Sequence, residues 1–252
     1  MDDQARRLQQ LLARLRLLSS ERALTIYLPV RREGYDERYY SALLQDLVKR
    51  YRERLSEDER EVVGTELPRI QHRLETERPA GCDGLVAFSC EEAGVLALIR
   101  LSEPPVARLE VGAPLLAPID RLLEARPPAL VVVVDKEKAR VLAAILGELL
   151  PVAELEGEEV KHSRAGGSSA AGNQRKAENR ASHNLERVVE LVDREADGFY
   201  RVLLVAGPQE ARTEFIRLLP PRLRALHREL AQASLAEPFG ETLAELRYRL
   251  AI

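Results

Sequence analysis

The chain has 252 residues, 45% apolar and 31% charged, and a net charge of −3. This is the profile of a globular protein with material for one large core or two ordinary ones, and it excludes a disordered or fibrous chain. It also excludes a protein that attracts polyanions over its whole surface, so any nucleic-acid contact has to come from a local patch.

Gln4 to Leu18 reads as a helix with Leu8, Leu11, Leu12, Leu15 and Leu18 on one side. ALTIYLPV, Ala23 to Val30, reads as a buried strand closed by a proline. Two charged helices follow, about Asp36 to Leu55 and about Glu57 to Glu77. Leu43, Leu44, Leu47 and Val48 give the first a core face, whereas Gly64 and Pro68 are expected to interrupt the second. Gly84 to Cys90, Gly94 to Leu101 and Val106 to Gly112 read as three strands, with Glu103, Pro104 and Pro105 marking the last turn. Pro114 to Ala125 is a short helix, and the RPP at 126–128 is the candidate linker.

Beyond it, ALVVVVD at 129–135 is a continuous β-branched run, as in a central strand covered on both faces. Propensity favours a helix over Lys138 to Leu146. The competing reading, a hairpin turning near Gly147, is preferred, partly for the resemblance given below. Tyr200 to Gly207 is another buried strand and leads into a helix at Pro208, which suits a first helical turn. Pro220 and Pro221 end that helix, more helix follows to about Leu230, and a last amphipathic helix spans Gly240 to Leu250.

The most informative segment, KHSRAGGSSAAGNQRKAENRASHNLE at 161–186, is poor in large apolar residues. Up to about Gly172 it reads as a mobile loop, since Gly166 and Gly167 adopt φ > 0 freely and small side chains bury little. From Asn173 it is a helix, with Leu185, Val188, Val189 and Val192 as its apolar stripe. Between 161 and 187, Lys161, Arg164, Arg175, Lys176, Arg180 and Arg187 outweigh Glu178 and Glu186, a local positive excess in an acidic chain. A Gly-Gly loop feeding a basic helix suits an anionic partner, nucleic acid foremost.

Other chemistry is thinly supported. Cys82 and Cys90 form no CxxC, and no His or Cys stands at metal-ligand spacing; two buried thiols of a reducing cytosol are expected, with no metal and no cofactor. Asp135 ends a strand, but Lys136, Glu137 and Lys138 follow at once, as in a solvated turn. A two-metal nuclease lacks the convergent carboxylates it needs. His72 and His227 have surface or helix-end positions as their default; His162 and His183 flank the Gly-Gly segment, where a solvated histidine is the default. Ser168 and Ser169 lack a GxSxG context, and GxGxxG and GxxxxGK[ST] are absent. The amino terminus has no signal-peptide pattern and no apolar run is long enough for a bilayer, so a cytoplasmic protein without a membrane partner is expected.

GGSSAAGNQRKAENRASHNL resembles the active loop of bacterial relatives of the eukaryotic and archaeal class I peptide-chain release factor, akin to the release-factor-like peptidyl-tRNA hydrolase of ribosome quality control. That branch often reads GGWSQARxQRxxEN with a histidine a few residues on, and Gly166, Gly167, Ser169, Ala171, Gln174, Arg175, Glu178, Asn179 and His183 fall on matching positions. The order of the strands and helices is similar as well. The resemblance implies a mixed α+β protein: an amino-terminal α+β domain over 1–126, then over 127–252 a ribonuclease H-like central domain of the α/β kind, with the Gly-Gly loop and a long basic helix. It implies the large ribosomal subunit and peptidyl-tRNA as partners. Gly166, Gly167, Ser169 and Gln174 would serve at the ester, and Arg164, Arg175, Lys176, Asn179, Arg180 and His183 would contact RNA. Three positions depart from the pattern: Ser168 stands at the tryptophan, Gly172 at the arginine, and Ala170 at the glutamine that helps place the attacking water. Loss of that glutamine weakens both positioning and oxyanion stabilisation. Three readings therefore stay open: a peptidyl-tRNA hydrolase of ribosome rescue, a non-catalytic ribosome or tRNA-binding factor on the same scaffold, and a protein whose basic helix is merely solvated.

Overall fold

The computed structural model describes residues 4–30, 36–158 and 170–229. The chain divides into two compact units, Arg7–Ala125 and Arg126–Ile252, the latter grouped with Met1–Arg6.

The amino-terminal elements are α1 (Gln4–Leu17), β1 (Ala23–Pro29), α2 (Glu37–Tyr51), α3 (Glu57–Glu77), β2 (Gly84–Cys90), β3 (Val95–Leu101), β4 (Arg108–Gly112) and α4 (Ala117–Ala125). The four strands form an antiparallel sheet in the order β3-β2-β1-β4. β1 lies inside, and its alternate residues serve opposite faces. Leu24, Ile26 and Leu28 pack with Leu44 and Leu47 of α2 and with Val63, Ile70 and Leu74 of α3. On the other face Thr25 Oγ1 accepts from the Leu115 N–H at 3.2 Å, and the Tyr27 hydroxyl donates to the Leu115 carbonyl at 2.7 Å. Burial raises the Tyr27 pKa well above the ordinary phenol value, so the hydroxyl stays a donor.

Both helices on the first face start on side-chain caps. Asp36 accepts from the Arg38 and Tyr39 amides. Ser56 and Glu59 form a reciprocal capping box at the head of α3. Contrary to the sequence expectation, α3 runs through Gly64 and Pro68 without a break. The carbonyl that loses its partner to Pro68 is that of Gly64, four residues back, and both residues are exposed. Water can satisfy that carbonyl, while Val62, Val63, Ile70 and Leu74 keep the helix on the sheet. α3 also buries a charge: Glu66, 4% exposed, accepts from Ser89 Oγ at 2.6 Å, the Glu91 amide at 2.8 Å and Arg69 Nη1 at 2.6 Å. Cys82 and Cys90 are buried thiols outside any disulfide, as read from the sequence.

The carboxy-terminal unit holds β5 (Ala129–Val134), β6 (Lys138–Ile145), β7 (Glu148–Glu156), α5 (Ala170–Glu195), β8 (Val202–Ala206), α6 (Gln209–Leu218), α7 (Pro221–Leu226) and β9 (His227–Glu229). Its sheet has the order β7-β6-β5-β8-β9. β5, β6 and β7 run antiparallel in sequence, and β8 and β9 lie parallel to β5. Every residue of β5 is buried, as its β-branched run demands. The β6–β7 hairpin turns at Leu146 and Gly147, at φ 53 and 80. Positive φ at both central residues is what a type I′ two-residue hairpin turn requires, and this decides for strands over the helix that propensity favours.

Three of the boundaries that differ from the sequence expectation concern the helices of this unit. Pro208 precedes α6 at its cap and is not in its first turn. The helix expected to reach Leu230 stops at Leu226, and His227 to Glu229 instead pairs with Leu203 to Val205 of β8. The open edge of β8 supplies backbone partners that a continued helix would leave unpaired, which outweighs local propensity. The third difference, at the start of α5, bears on the candidate site. The helix expected over Gly240 to Leu250 lies outside the described residues. Among the described residues no helix is long and apolar enough to cross a membrane.

Candidate functional site

α5 follows β7 and leads back to β8, so it crosses from one part of the sheet to another. Ala181, Leu185, Val188, Leu191 and Val192 are buried at helical spacing and form its sheet-facing stripe. The helix begins at Ala170, so Ala170, Ala171 and Gly172 belong to it and not to the loop expected to reach Gly172. Two alanines ahead of the glycine favour the extra turn, and first-turn amides need no intrahelical partner. The first turn carries no carboxylate to offset the positive end of the helix dipole.

Arg175, Lys176, Asn179, Arg180 and His183 are all exposed. Five of the six residues expected to contact RNA thus share the solvent side of α5. Arg175, Lys176 and Arg180 lie within about 7–8 Å along the helix axis at its ordinary rise. Glu178 and Glu186 are exposed on the same helix. Arg180 Nε stands 3.5 Å from Glu158 Oε2, and His183 Nδ1 stands 3.6 Å from Glu186 Oε2. Such exposed pairs are weak. Further along, Ser182 Oγ lies 3.5 Å from Glu214 Oε1 of α6; the Arg217 guanidinium on the same carboxylate holds it below the usual carboxylate range.

Arg164, Gly166, Gly167 and Ser169 lie outside the described residues, as do His162 and Ser168. Gln174 lies in the first half of α5, but its side chain is not described. Asp135 forms the turn that its neighbours predict: its amide donates to the Lys138 carbonyl at 2.8 Å, and its Oδ1 accepts from the Lys136 amide at 2.6 Å. No cluster of metal-ligating side chains occurs among the described residues.

Asn184 is a site residue that the sequence pattern does not single out. It is 5% exposed, within the apolar stripe of α5. Nδ2 donates to the Lys136 and Glu158 carbonyls, each at 3.0 Å, and Oδ1 accepts from the Glu158 amide at 2.9 Å. The Gly157 amide donates to the Glu137 carbonyl at 2.7 Å. Glu158 is thus held through both its backbone groups. The available clue was the position itself: between Ala181, Leu185 and Val188, a polar residue falls on the buried face and needs partners there.

Residues 114–237 match the family model for bacterial archaeo-eukaryotic release factor family 10. No curated protein matches the chain. Among solved structures, an archaeal translation termination factor, aRF1, is similar at 19% identity and a TM-score of 0.38, over 98% of this chain and 74% of that one. Pelota of Archaeoglobus fulgidus is similar at 13% identity and a TM-score of 0.32, over 67% of this chain and 48% of that one. Pelota of Thermoplasma acidophilum gives 14% identity and a TM-score of 0.32, over 62% and 45%. The chain therefore spans about half the length of these two Pelota proteins.

Proposed function

We propose that the chain, whose residues 114–237 match a family of bacterial archaeo-eukaryotic release factors, is a cytoplasmic, ribosome-associated factor that hydrolyses the ester of peptidyl-tRNA in ribosome rescue. In that reaction water adds to the ester carbonyl, the terminal ribose oxygen of the tRNA leaves with a proton, and the peptide departs as its acid.

The observation that carries the reading is the exposed group Arg175, Lys176 and Arg180, set on the helix that immediately follows the Gly-Gly segment in a chain of net charge −3. Cations placed there neutralise RNA phosphate without making the whole protein basic. Arg164, Asn179 and His183 serve as further RNA contacts in this reading. Gly166 and Gly167 give the backbone close access to the ester, while Ser169 and Gln174 supply polar contacts beside it. The strand order, with an antiparallel second strand and parallel fourth and fifth strands, supports the ribonuclease H-like description of this unit. The large subunit, where the ester is held, is the docking partner in this reading.

One observation favours a second reading. Ala170, at the position of the glutamine, is the first residue of α5 and has no side-chain amide to place a water. A loop that binds the ribosome without cleaving the ester is the alternative. Incubation with purified ribosomes carrying peptidyl-tRNA, scored for binding and for peptide release, separates the two. Binding with release supports the hydrolase, binding without release the non-catalytic factor, and absence of both removes the ribosomal reading.

A further inference from the structure

We infer that Asn184 is a positioning residue of the candidate site: its carboxamide fixes the point at which the chain leaves the sheet, and hence the origin of the segment joining β7 to α5. The functional consequence rests on the release-factor reading, whereas the contact itself does not.

A primary carboxamide offers two donor hydrogens and one acceptor oxygen. At Asn184 the oxygen accepts from the Glu158 amide, and one hydrogen goes to the Glu158 carbonyl. A neighbouring strand pairs with a residue in the same way, taking both its backbone groups. The second hydrogen goes to the Lys136 carbonyl in the β5–β6 turn. A helix side chain thus continues the sheet past the end of β7, where no strand is paired. The space is shaped for it: a Cβ on Gly157 would lie 2.3 Å from Asn184 Cγ and 2.4 Å from Oδ1.

Packing of α5 does not call for an amide here. An alanine or leucine would suit the apolar stripe, and a buried carboxamide is costly unless its bonds are made. These three bonds all run to the turn and the exit strand, none to α5. The residue held by its backbone also meets the basic face by its side chain, since Glu158 Oε2 stands 3.5 Å from Arg180 Nε. Releasing Glu158 therefore shifts the origin of the segment relative to Arg175, Lys176 and Arg180.

The test compares the full chain with Asn184→Ala, Gly157→Ala and the double variant. Amide exchange is read at Glu158 and Gly157, with thermal unfolding, ribosome affinity and single-turnover peptide release at saturating ribosomes. In Asn184→Ala the Glu158 amide should exchange about tenfold faster or more, as expected for loss of a local hydrogen bond. The Gly157 amide, bonded to Glu137, should keep its protection. Release should fall by roughly 100-fold, the scale of a misplaced reacting group. Ribosome affinity should stay within about twofold, because the phosphate contacts remain. Gly157→Ala should lower the melting temperature; the double variant should recover it and remain slow in release. Unchanged Glu158 exchange in Asn184→Ala overturns the positioning role. So does a release defect that follows the folded fraction and is cured in the double variant. A wild-type chain that binds ribosomes and releases nothing overturns the hydrolase reading alone, and the exchange and rescue measurements still decide the role of Asn184.

Discussion

Asn184 and Gly157 are shaped for each other: the carboxamide occupies the volume that any side chain at 157 would enter, with its three heavy atoms 2.3 to 2.6 Å from an ideal Cβ there. Since Asn184 is bonded to two carbonyls and an amide, it cannot retreat without unpairing buried groups. Gly157→Ala is expected to destabilise the carboxy-terminal unit by ~1–3 kcal/mol, the usual cost of overpacking. Chemical denaturation with an unchanged m-value checks this, and a loss below about 0.5 kcal/mol would show that the contact yields easily.

The basic half of α5 should dominate RNA affinity. Replacing Arg175, Lys176 and Arg180 by Glu is expected to weaken tRNA or ribosome binding and to reduce the slope of log K against log salt by about 2, from three lost phosphate contacts at about 0.7 each. Titration across a salt series measures both. Unchanged affinity and slope would remove the nucleic-acid reading of this helix.

Ala170→Gln restores an amide at the family position. If that position acts on the ester, peptide release should rise by up to ~10²-fold, equivalent to ~2–3 kcal/mol of transition-state stabilisation, with binding unchanged. Gln174→Ala is the companion variant. Collapse of native release in it, with binding intact, would mean that Gln174 has taken over the role. Efficient native release that ignores both changes would defeat this account of the chemistry.

In the amino-terminal unit, Glu66→Ala leaves Ser89, the Glu91 amide and Arg69 without their shared acceptor. Leaving buried donors without their acceptor is expected to cost ~1–3 kcal/mol each. Thermal unfolding should show this loss for Glu66→Ala, while Arg69→Ala, which removes only the more exposed partner, should cost less. Equal effects would mean that the ion pair, and not the buried hydrogen bonds, carries the stability.

Gly207 closes β8 beside the end of β5 at φ 123, and a Cβ there would fall 2.0 Å from the Val134 carbonyl oxygen. Gly207→Ala therefore meets both backbone strain and a clash with main chain, which has no rotamer by which to escape. A loss above ~3 kcal/mol is expected, read as a fall in melting temperature. Tolerance of alanine would mean that β8 can move away from β5.

Much of this protein was legible in its sequence because local pattern encodes local geometry. The β-branched run of β5, the leucines of α1 and α2 and the spacing of Leu185, Val188 and Val192 fix which faces are buried. GGSSAAGNQRKAENRASHNL resembles the release-factor relatives, and the family match over 114–237 agrees. The tertiary structure decided what depends on partners distant in the chain. Pro68 does not break α3, because its orphaned carbonyl faces solvent while the opposite side stays packed. His227 to Glu229 becomes a strand because β8 offers an open edge. Asn184 reaches Lys136, 48 residues away, and Glu158, 26 away, bonds that no helical period announces. Periodicity tells a side chain which way to face; only the folded chain supplies the groups it meets there.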